Sequence, residues 1–473
     1  MRRWLQNLHD GPAYSLRAYL LLALLLRLPA VLCADGYDFP DQQFQYVDPA
    51  WHLATGQAWH EPWEYRDGMR SWLYPGVLAA VFRVVTWFGS DEPMTTMRMV
   101  RAVHAVFTLL PLAAFWLVVV RWRPIAAPRL PLLLFAVAGL LVTAVQPSGP
   151  SFALVLVVTA GLVVTGPGWG PAAGGLCLGF AFGGRFQDAV FGPAFLGVLL
   201  WQRRFAAALQ FALACLPGLV AQGCVDFATS GTFFGSPWRY VQSNVGGNDA
   251  ANAWRTQPKL FYVYAGIVPI LALLPWPRVL AAAWARLRAG AMLLPAACAG
   301  ALLHLAVHSC IPRKALRFEY PAFVLLLAVV LAGAPAASGA VARLHTMLLL
   351  LVHAGWWVLA SFWFGNAGAV RFANWLRTQP EWRGELLVVG GDATTLGGYF
   401  YARPPADRVR SVRRDALAGA LTGEVQRPPF VVALREPLTA AERQQLGSPE
   451  LVATFAGMFD LRAGDRRFVY RWR

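Results

Sequence analysis

Long apolar runs separated by short polar breaks fill the first three-quarters of the chain, at about 15–34, 73–89, 99–120, 130–147, 151–165, 171–184, 188–202, 205–222, 259–276, 290–308, 319–334 and 344–364. Runs of this length match the span of a bilayer. They are continuous rather than alternating, which excludes a membrane β-barrel and leaves helices, whose backbone is satisfied within each segment. The pattern predicts an all-α polytopic membrane protein with about 11–13 transmembrane helices over residues 1–365. From about Asn366 the pattern changes, with 27 charged residues in the last 108. Glu385-Leu-Leu-Val-Val-Gly, Pro429-Phe-Val-Val-Ala-Leu, Leu451-Val-Ala-Thr-Phe and Arg467-Phe-Val-Tyr-Arg-Trp read as short strands among helical stretches. Residues 366–473 are therefore expected to form a small C-terminal extramembrane α/β domain. The Gly-Gly turn before Asp392 is too short a motif to assign a ligand.

Composition agrees with a membrane class. Of 473 residues, 57% are hydrophobic and only 14% charged, where a soluble domain carries about 25% charged residues. The net charge of +16 raises the question of nucleic acid. The setting answers it: much of the charge is arginine in short loops between apolar runs, as the positive-inside rule expects. The partner is membrane lipid, not nucleic acid. The six cysteines have neither disulfide-framework nor metal-ligand spacing. The first apolar run lacks a small-residue cleavage site and reads as a retained helix. A cytoplasmic N-terminus places the loop 35–72, the loops 222–258 and 308–318, and the tail outside. Arg121-Trp-Arg-Pro conflicts with this, because two crossings between 73 and 120 would also put it outside.

The acids are unevenly placed. Between Asp35 and Tyr65 lie Asp35, Asp38, Asp41, Asp48, Glu61 and Glu64 with no Lys or Arg, whereas 93–380 holds only Asp188, Asp226, Asp249 and Glu319. Pro40 suits a first helical turn with Asp41 at the positive end of the dipole, and Asp48-Pro49 reads as an N-cap opening a second helix. Two short interfacial helices would set Phe44, Trp51, Trp59, Trp63 and Trp72 at headgroup level. Read singly, Asp41 is a surface acid and Asp48 a cap.

Cations near this loop change that picture. Arg185 ends a Gly-rich apolar run, and His308, Arg313, Lys314 and Arg317 lie between two spans. Ionisable groups at a membrane face cavities or pathways more often than lipid. Several cations converging on a carboxylate loop suit a phosphate-bearing substrate. His304 and His308, four apart, share a helix face as zinc ligands do, but no Glu stands between them, and the expectation is no metal. There is no P-loop and no Asp-X-Asp pair.

Phe39-Pro-Asp-Gln-Gln-Phe-Gln45 resembles the His-Pro-Asp-Glu-x-Phe-Gln signature of the polyprenol-phosphate-mannose-dependent mannosyltransferases (glycosyltransferase family 22), which include the GPI and lipid-linked-oligosaccharide enzymes. The resemblance continues in order through Trp63-Glu-Tyr65, Arg70-Ser-Trp-Leu-Tyr-Pro75, Phe233-Phe-Gly-Ser-Pro-Trp238, Asn244-Val245, Phe261-Tyr-Val-Tyr264 and His308-Ser-x-x-Pro-x-Lys-x-x-Arg-Phe-x-x-Pro321. It covers roughly 15–335. The departures are Phe39 for His, Gln42 for Glu, and Arg313-Lys-Ala315 for His-Lys-Glu.

The resemblance implies a GT-C fold with the catalytic acid in the first outer loop, 35–72, and a lipid-phosphate sugar as donor. It puts Asp41 at the catalytic position, with Asp48 as a possible second acid if the helix ran on unbroken for seven residues. It puts Arg185, His308, Arg313, Lys314 and Arg317 at the donor phosphate, and Glu64, Arg70, Trp238 and Asn244 on the acceptor side. It implies a glycan or lipid-linked acceptor and no cofactor beyond the donor. The Arg-rich chain points to a bacterial inner membrane with a periplasmic site, an endoplasmic reticulum membrane being the alternative. The rival from another class is a transporter or scaffold for lipid-linked sugars. A transporter would show repeated halves and mid-membrane charges, and no repeat is visible.

Overall fold

The computed structural model describes residues 13–57, 59, 61–89, 92–125, 128–246, 257–264, 294–311, 314–333, 340–362, 365–383, 385–390, 397–402, 408–419, 428–456 and 466–472. Most of the expected span 259–276 and the start of 290–308 fall outside them. The described residues bear out an integral membrane protein. Leu16–Cys33, Pro93–Trp122, Phe205–Ser230 and Leu316–Gly333 are long and apolar enough to cross a bilayer, and Leu73–Trp87, Gly149–Val163, Phe186–Trp201 and Pro295–Cys310 are shorter apolar helices. The span expected at 130–147 breaks into Arg129–Ala136 and Gly139–Thr143.

The Gly-rich helix Gly170–Gly184 owes its composition to a close neighbour. Its partner is Phe205–Ser230, and a Cβ on Gly179 would stand 2.3 Å from the Cys215 carbonyl oxygen. A Cβ on Gly218 would stand 2.2 Å from the Gly179 carbonyl carbon. Lipid offers helices no hydrophobic drive to pair, so such small-residue contacts hold them by backbone packing. Phe205–Ser230 also runs eight residues past the predicted end of its span, stopping at Gly231 in the left-handed region (φ 71°). The loop expected from 222 therefore begins later. Asp226, still helical and buried, accepts the Ser236 backbone N–H at 3.0 Å and the Gln222 amide at 2.8 Å, folding the next helix, Gly235–Val241, back over the membrane helix.

The outer loop departs from the expected pair of interfacial helices. Pro40–Gln42, a π-helical turn Gln43–Val47 and Asp48–Thr55 form one helical run ending at Gly56. Asp48 is inside this run, with helical φ and ψ, and is no N-cap. Phe44 and Trp51 are buried in protein rather than at headgroups, Trp51 packing on Phe82 and Phe400. Trp59, Tyr65 and Trp72 form an aromatic cluster of their own beside the run.

The tail is a five-stranded sheet of order β2-β1-β3-β5-β4, with β1 (Glu385–Val389), β2 (Arg408–Val412), β3 (Phe430–Leu434), β4 (Glu450–Phe455) and β5 (Arg467–Arg471). β1 runs parallel to β2 and β3, whereas β5 is antiparallel to β3 and β4. Helix Ala367–Arg377 joins sheet to membrane region: Phe372 and Leu376 pack into the sheet core, Val370 and Ala373 against Tyr37 and Trp51. Polar ties reinforce this junction. Arg371 reaches Asp35 at 3.1 Å, the Asn366 amide donates to the Tyr37 carbonyl at 3.0 Å, and the Phe400 N–H donates to Asp48 at 3.0 Å.

Candidate active site

Asp41 opens the helical run of the outer loop and lines a cavity of about 840 Å3. Its Oδ2 accepts from Arg317 Nη2 at 2.8 Å. Arg317 arrives from 276 residues away, on the short 3-10 turn Leu316–Glu319 that enters the helix Tyr320–Gly333. Arg185 reaches the same place because Gly170–Gly184 stops there, the backbone turning extended at φ −155°. Its Nη1 donates to the Arg317 carbonyl at 2.9 Å, so one cation holds the backbone that presents the other. Arg185 Nη2 is buried without a partner. Phe39, standing where the resembled signature has His, lies under the Arg317 guanidinium at 4.3 Å. An aromatic face holds a cation by its quadrupole.

The polar wall continues through Glu64, Arg70 and Asn244, all of which line the cavity. Glu64 Oε1 accepts the Gln45 amide at 2.7 Å and lies 3.8 Å from Arg70. Burial works against the charge on Arg70, but the oxygens of Tyr46, Asp41, Tyr240 and Glu64 hold its guanidinium above the ordinary value. The Tyr46 phenol also lines the cavity and is pushed up by burial, with Arg70, Arg185 and Arg317 pulling the other way and Asp41 with it. It remains a neutral O–H donor among cations. Apolar side chains complete the lining, among them Phe182, Phe186, Val190, Val307, Ile311 and Phe318, the Phe318 ring lying 5.4 Å from the Arg185 guanidinium and 5.7 Å from that of Arg317. A cavity of this volume is within the range of small-molecule sites, and its mixed polar and apolar lining suits an amphiphile.

Other expected residues are elsewhere. Asp48 is buried, accepting Gln43 Nε2 at 2.7 Å and the Phe400 N–H, away from the cavity. The physical reason is the π-helical turn between the two acids: its extra residue per turn rotates Asp48 off the face that carries Asp41. Asp48 is thus a strut between loop and tail, not a second acid in the cavity. Lys314 donates to the Gln257 and Ile311 carbonyls at 3.2 and 2.6 Å and does not line the cavity. Trp238 is 63% exposed and outside the lining. Arg313 lies outside the described residues.

His308 lines the cavity and leads to a buried cluster behind it. His304 Nδ1 is 2.8 Å from Glu319 Oε2, His308 Nδ1 is 3.1 Å from Glu319 Oε1, and His304 Nε2 is 3.3 Å from Asp188 Oδ1. Sequence reading missed Asp188 and Glu319 here, and it missed Gln45, Tyr46 and Tyr240 in the cavity wall. Asp188 and Glu319 carried one available signal: they are two of the four acids in a 288-residue apolar stretch.

A family model described as the Alg9-like mannosyltransferase family matches residues 18–379. GPI mannosyltransferase 3 of Trypanosoma brucei brucei is 32% identical over 98 residues, 20% of this chain and 17% of that protein. GPI mannosyltransferase 3 of Drosophila melanogaster is 28% identical over 88 residues, 19% of this chain and 16% of that protein. The chain thus spans less than a fifth of the length of these relatives. Among solved structures, ArnT from Cupriavidus metallidurans in the apo state has a TM-score of 0.59 at 15% identity, over 96% of both chains. The same protein bound to undecaprenyl phosphate gives 0.57 at 15% identity, over 96% of this chain and 97% of that one. At such identity the likeness is one of fold, and the fold is GT-C.

Proposed function

The chain belongs to the Alg9-like mannosyltransferase family, and on that premise we propose that it is an inverting glycosyltransferase using a polyprenyl-phosphate sugar as donor. Asp41 held 2.8 Å from Arg317, with Arg185 bonded to the same turn and all three on one cavity, is the observation that carries the reading.

The donor phosphate enters between Arg185 and Arg317, with the lipid chain along the apolar side chains of the lining. The bound undecaprenyl phosphate of the similarly folded ArnT supports a polyprenyl carrier, and the names of the relatives support mannose as the sugar. Phosphate competes with Asp41 for the Arg317 guanidinium, which leaves Asp41 Oδ2 open to an acceptor hydroxyl. Asp41 takes the hydroxyl proton as the acceptor oxygen attacks the anomeric carbon from the face opposite the phosphate. The C–O bond to phosphate breaks, the anomeric configuration inverts, and the charge gathering on the leaving phosphate meets Arg185 and Arg317. Glu64, Arg70 and Asn244 hold the acceptor, a glycan or lipid-linked glycan, on the polar wall, and Tyr46 donates to whichever oxygen lies beside it. The scheme calls on no cofactor. The cavity opens to the outer face of the membrane, the periplasmic side of a bacterial inner membrane, with the lumenal face of the endoplasmic reticulum as its counterpart.

The experiment is transfer by purified protein in proteoliposomes from a panel of polyprenyl-phosphate sugars, with nucleotide sugars alongside. Transfer from polyprenyl-phosphate mannose with inversion is the expected result. Transfer from nucleotide sugars, with none from any lipid-phosphate sugar, overturns the proposal.

A further inference from the structure

We propose that the cluster behind the cavity is a divalent transition-metal site, with His304, His308 and Glu319 as ligands and zinc as the ion such a set takes. Their ligand atoms lie within 4.8 Å of one another. All three are buried, at 0%, 3% and 0% exposure. Two imidazoles and a carboxylate form a familiar zinc donor set. Behind His304, Asp188 stands 3.3 Å from Nε2, placed as the carboxylates that orient zinc-bound imidazoles from the far ring nitrogen.

A hydrogen-bonded cluster without a metal accounts for less. One proton on His304 would let Nδ1 donate to Glu319 Oε2 at 2.8 Å. Even a second proton, on Nε2 facing Asp188 Oδ1 at 3.3 Å, would leave Glu319 Oε1 and Asp188 Oδ2 buried with no hydrogen bond. Buried polar atoms are rarely left so, and buried carboxylates are paired or ligate a metal. A dication between the imidazoles and Glu319 engages Oε1 and draws the His304 Nε2 proton toward Asp188.

The sequence hid this site because the third ligand is not between the histidines. It lies eleven residues past His308, and the 3-10 turn Leu316–Glu319 sets it against them. That turn carries Arg317, so an ion here would pin the turn to Pro295–Cys310 and fix the cation that meets Asp41. The inference does not depend on the proposed reaction, because metal content is measured without a substrate.

The test is elemental analysis of full-length protein, purified in detergent with a tag that binds no metal and with no chelator. The wild type and Asp41→Asn are expected to hold one zinc per chain, and His304→Ala and Glu319→Ala less than about a tenth. Should those variants fail to fold, wild-type protein stripped with a chelator decides, by taking up one zinc against a competing dye with a rise in its thermal midpoint. Wild type that carries no zinc and takes up none overturns the site. So does folded His304→Ala or Glu319→Ala that retains it.

Discussion

Replacing Asp41 with Asn keeps the side chain's shape and removes its charge. In the structure the carboxylate makes one ion pair, to Arg317 at 2.8 Å, with side-chain exposures of 32% and 21%. A pair that open to solvent contributes about 0–1 kcal/mol to stability, and the Asn oxygen still accepts from the guanidinium. The fold is therefore expected to survive, with a thermal midpoint close to wild type. Catalysis has more to lose: removing a positioned general base costs about 10²–10⁴ in rate, or ~3–5 kcal/mol at 1.36 kcal/mol per tenfold. The assay is single-turnover transfer from a fluorescent or radiolabelled lipid-phosphate mannose in proteoliposomes, with donor binding measured separately. Rate should collapse while donor affinity holds or improves, since the phosphate no longer competes with a carboxylate for Arg317. A single-turnover rate within about threefold of wild type, on folded protein, removes Asp41 as the base.

Arg185→Ala removes both a phosphate contact and the hydrogen bond to the Arg317 carbonyl at 2.9 Å; donor affinity should fall by about 1.5–3 kcal/mol, read in a binding titration. Asp48→Ala deprives the buried Phe400 N–H and Gln43 amide of their acceptor. A stability loss of about 1–3 kcal/mol is expected, seen as faster proteolysis of the tail, whereas Asp48→Asn should retain most activity. Gly179→Leu forces a side chain into the 2.3 Å approach to Cys215; overpacking of this kind costs about 1–3 kcal/mol or more, and the yield of monodisperse protein in detergent should fall. In the tail, burial disfavours the Glu442 carboxylate, but the Thr439 N–H and hydroxyl and the Arg414 guanidinium outweigh it and hold its pKa below 4.5. A depressed carboxyl stabilises the folded form above its unfolded pKa and loses that contribution as pH falls through the folded value. The tail should therefore weaken in that acid window, and Glu442→Gln should flatten the dependence in a pH series of thermal melts.

Most of the architecture could be read from the chain because continuous apolar runs have one stable outcome in lipid, and because β1, β3, β4 and β5 carry apolar, β-branched stretches. β2, Arg-Val-Arg-Ser-Val, is an edge strand with charges at alternate positions, so its pattern resembled a loop. The pairing of Asp41 with Arg317 was approachable, since ordered motifs in a resembled family carry spatial information that spacing alone lacks. Asp48 was misread for a local reason: nothing in Gln-Phe-Gln-Tyr-Val announces a π-helical turn, and a single extra residue changes the face of everything after it. Glu319 was missed for a non-local one, because its partners are set by how two helices meet. Trp51 reads as a headgroup residue because the sequence does not reveal that Phe400, far along the chain, comes back to pack on it.

That return of the tail has a bearing on how the protein is made. The segment that carries Asp41 leaves the ribosome early, yet Asp35, Tyr37 and Asp48 receive their partners from Arg371, Asn366 and Phe400. During synthesis the early segment waits, its carboxylates solvated, while the remaining helices insert. Only when the tail has closed over it does the outer loop gain its final shape, so a polypeptide cut short before residue 366 would sit in the bilayer chemically silent. Competence of the outer loop thus waits on the arrival of Arg371, Asn366 and Phe400.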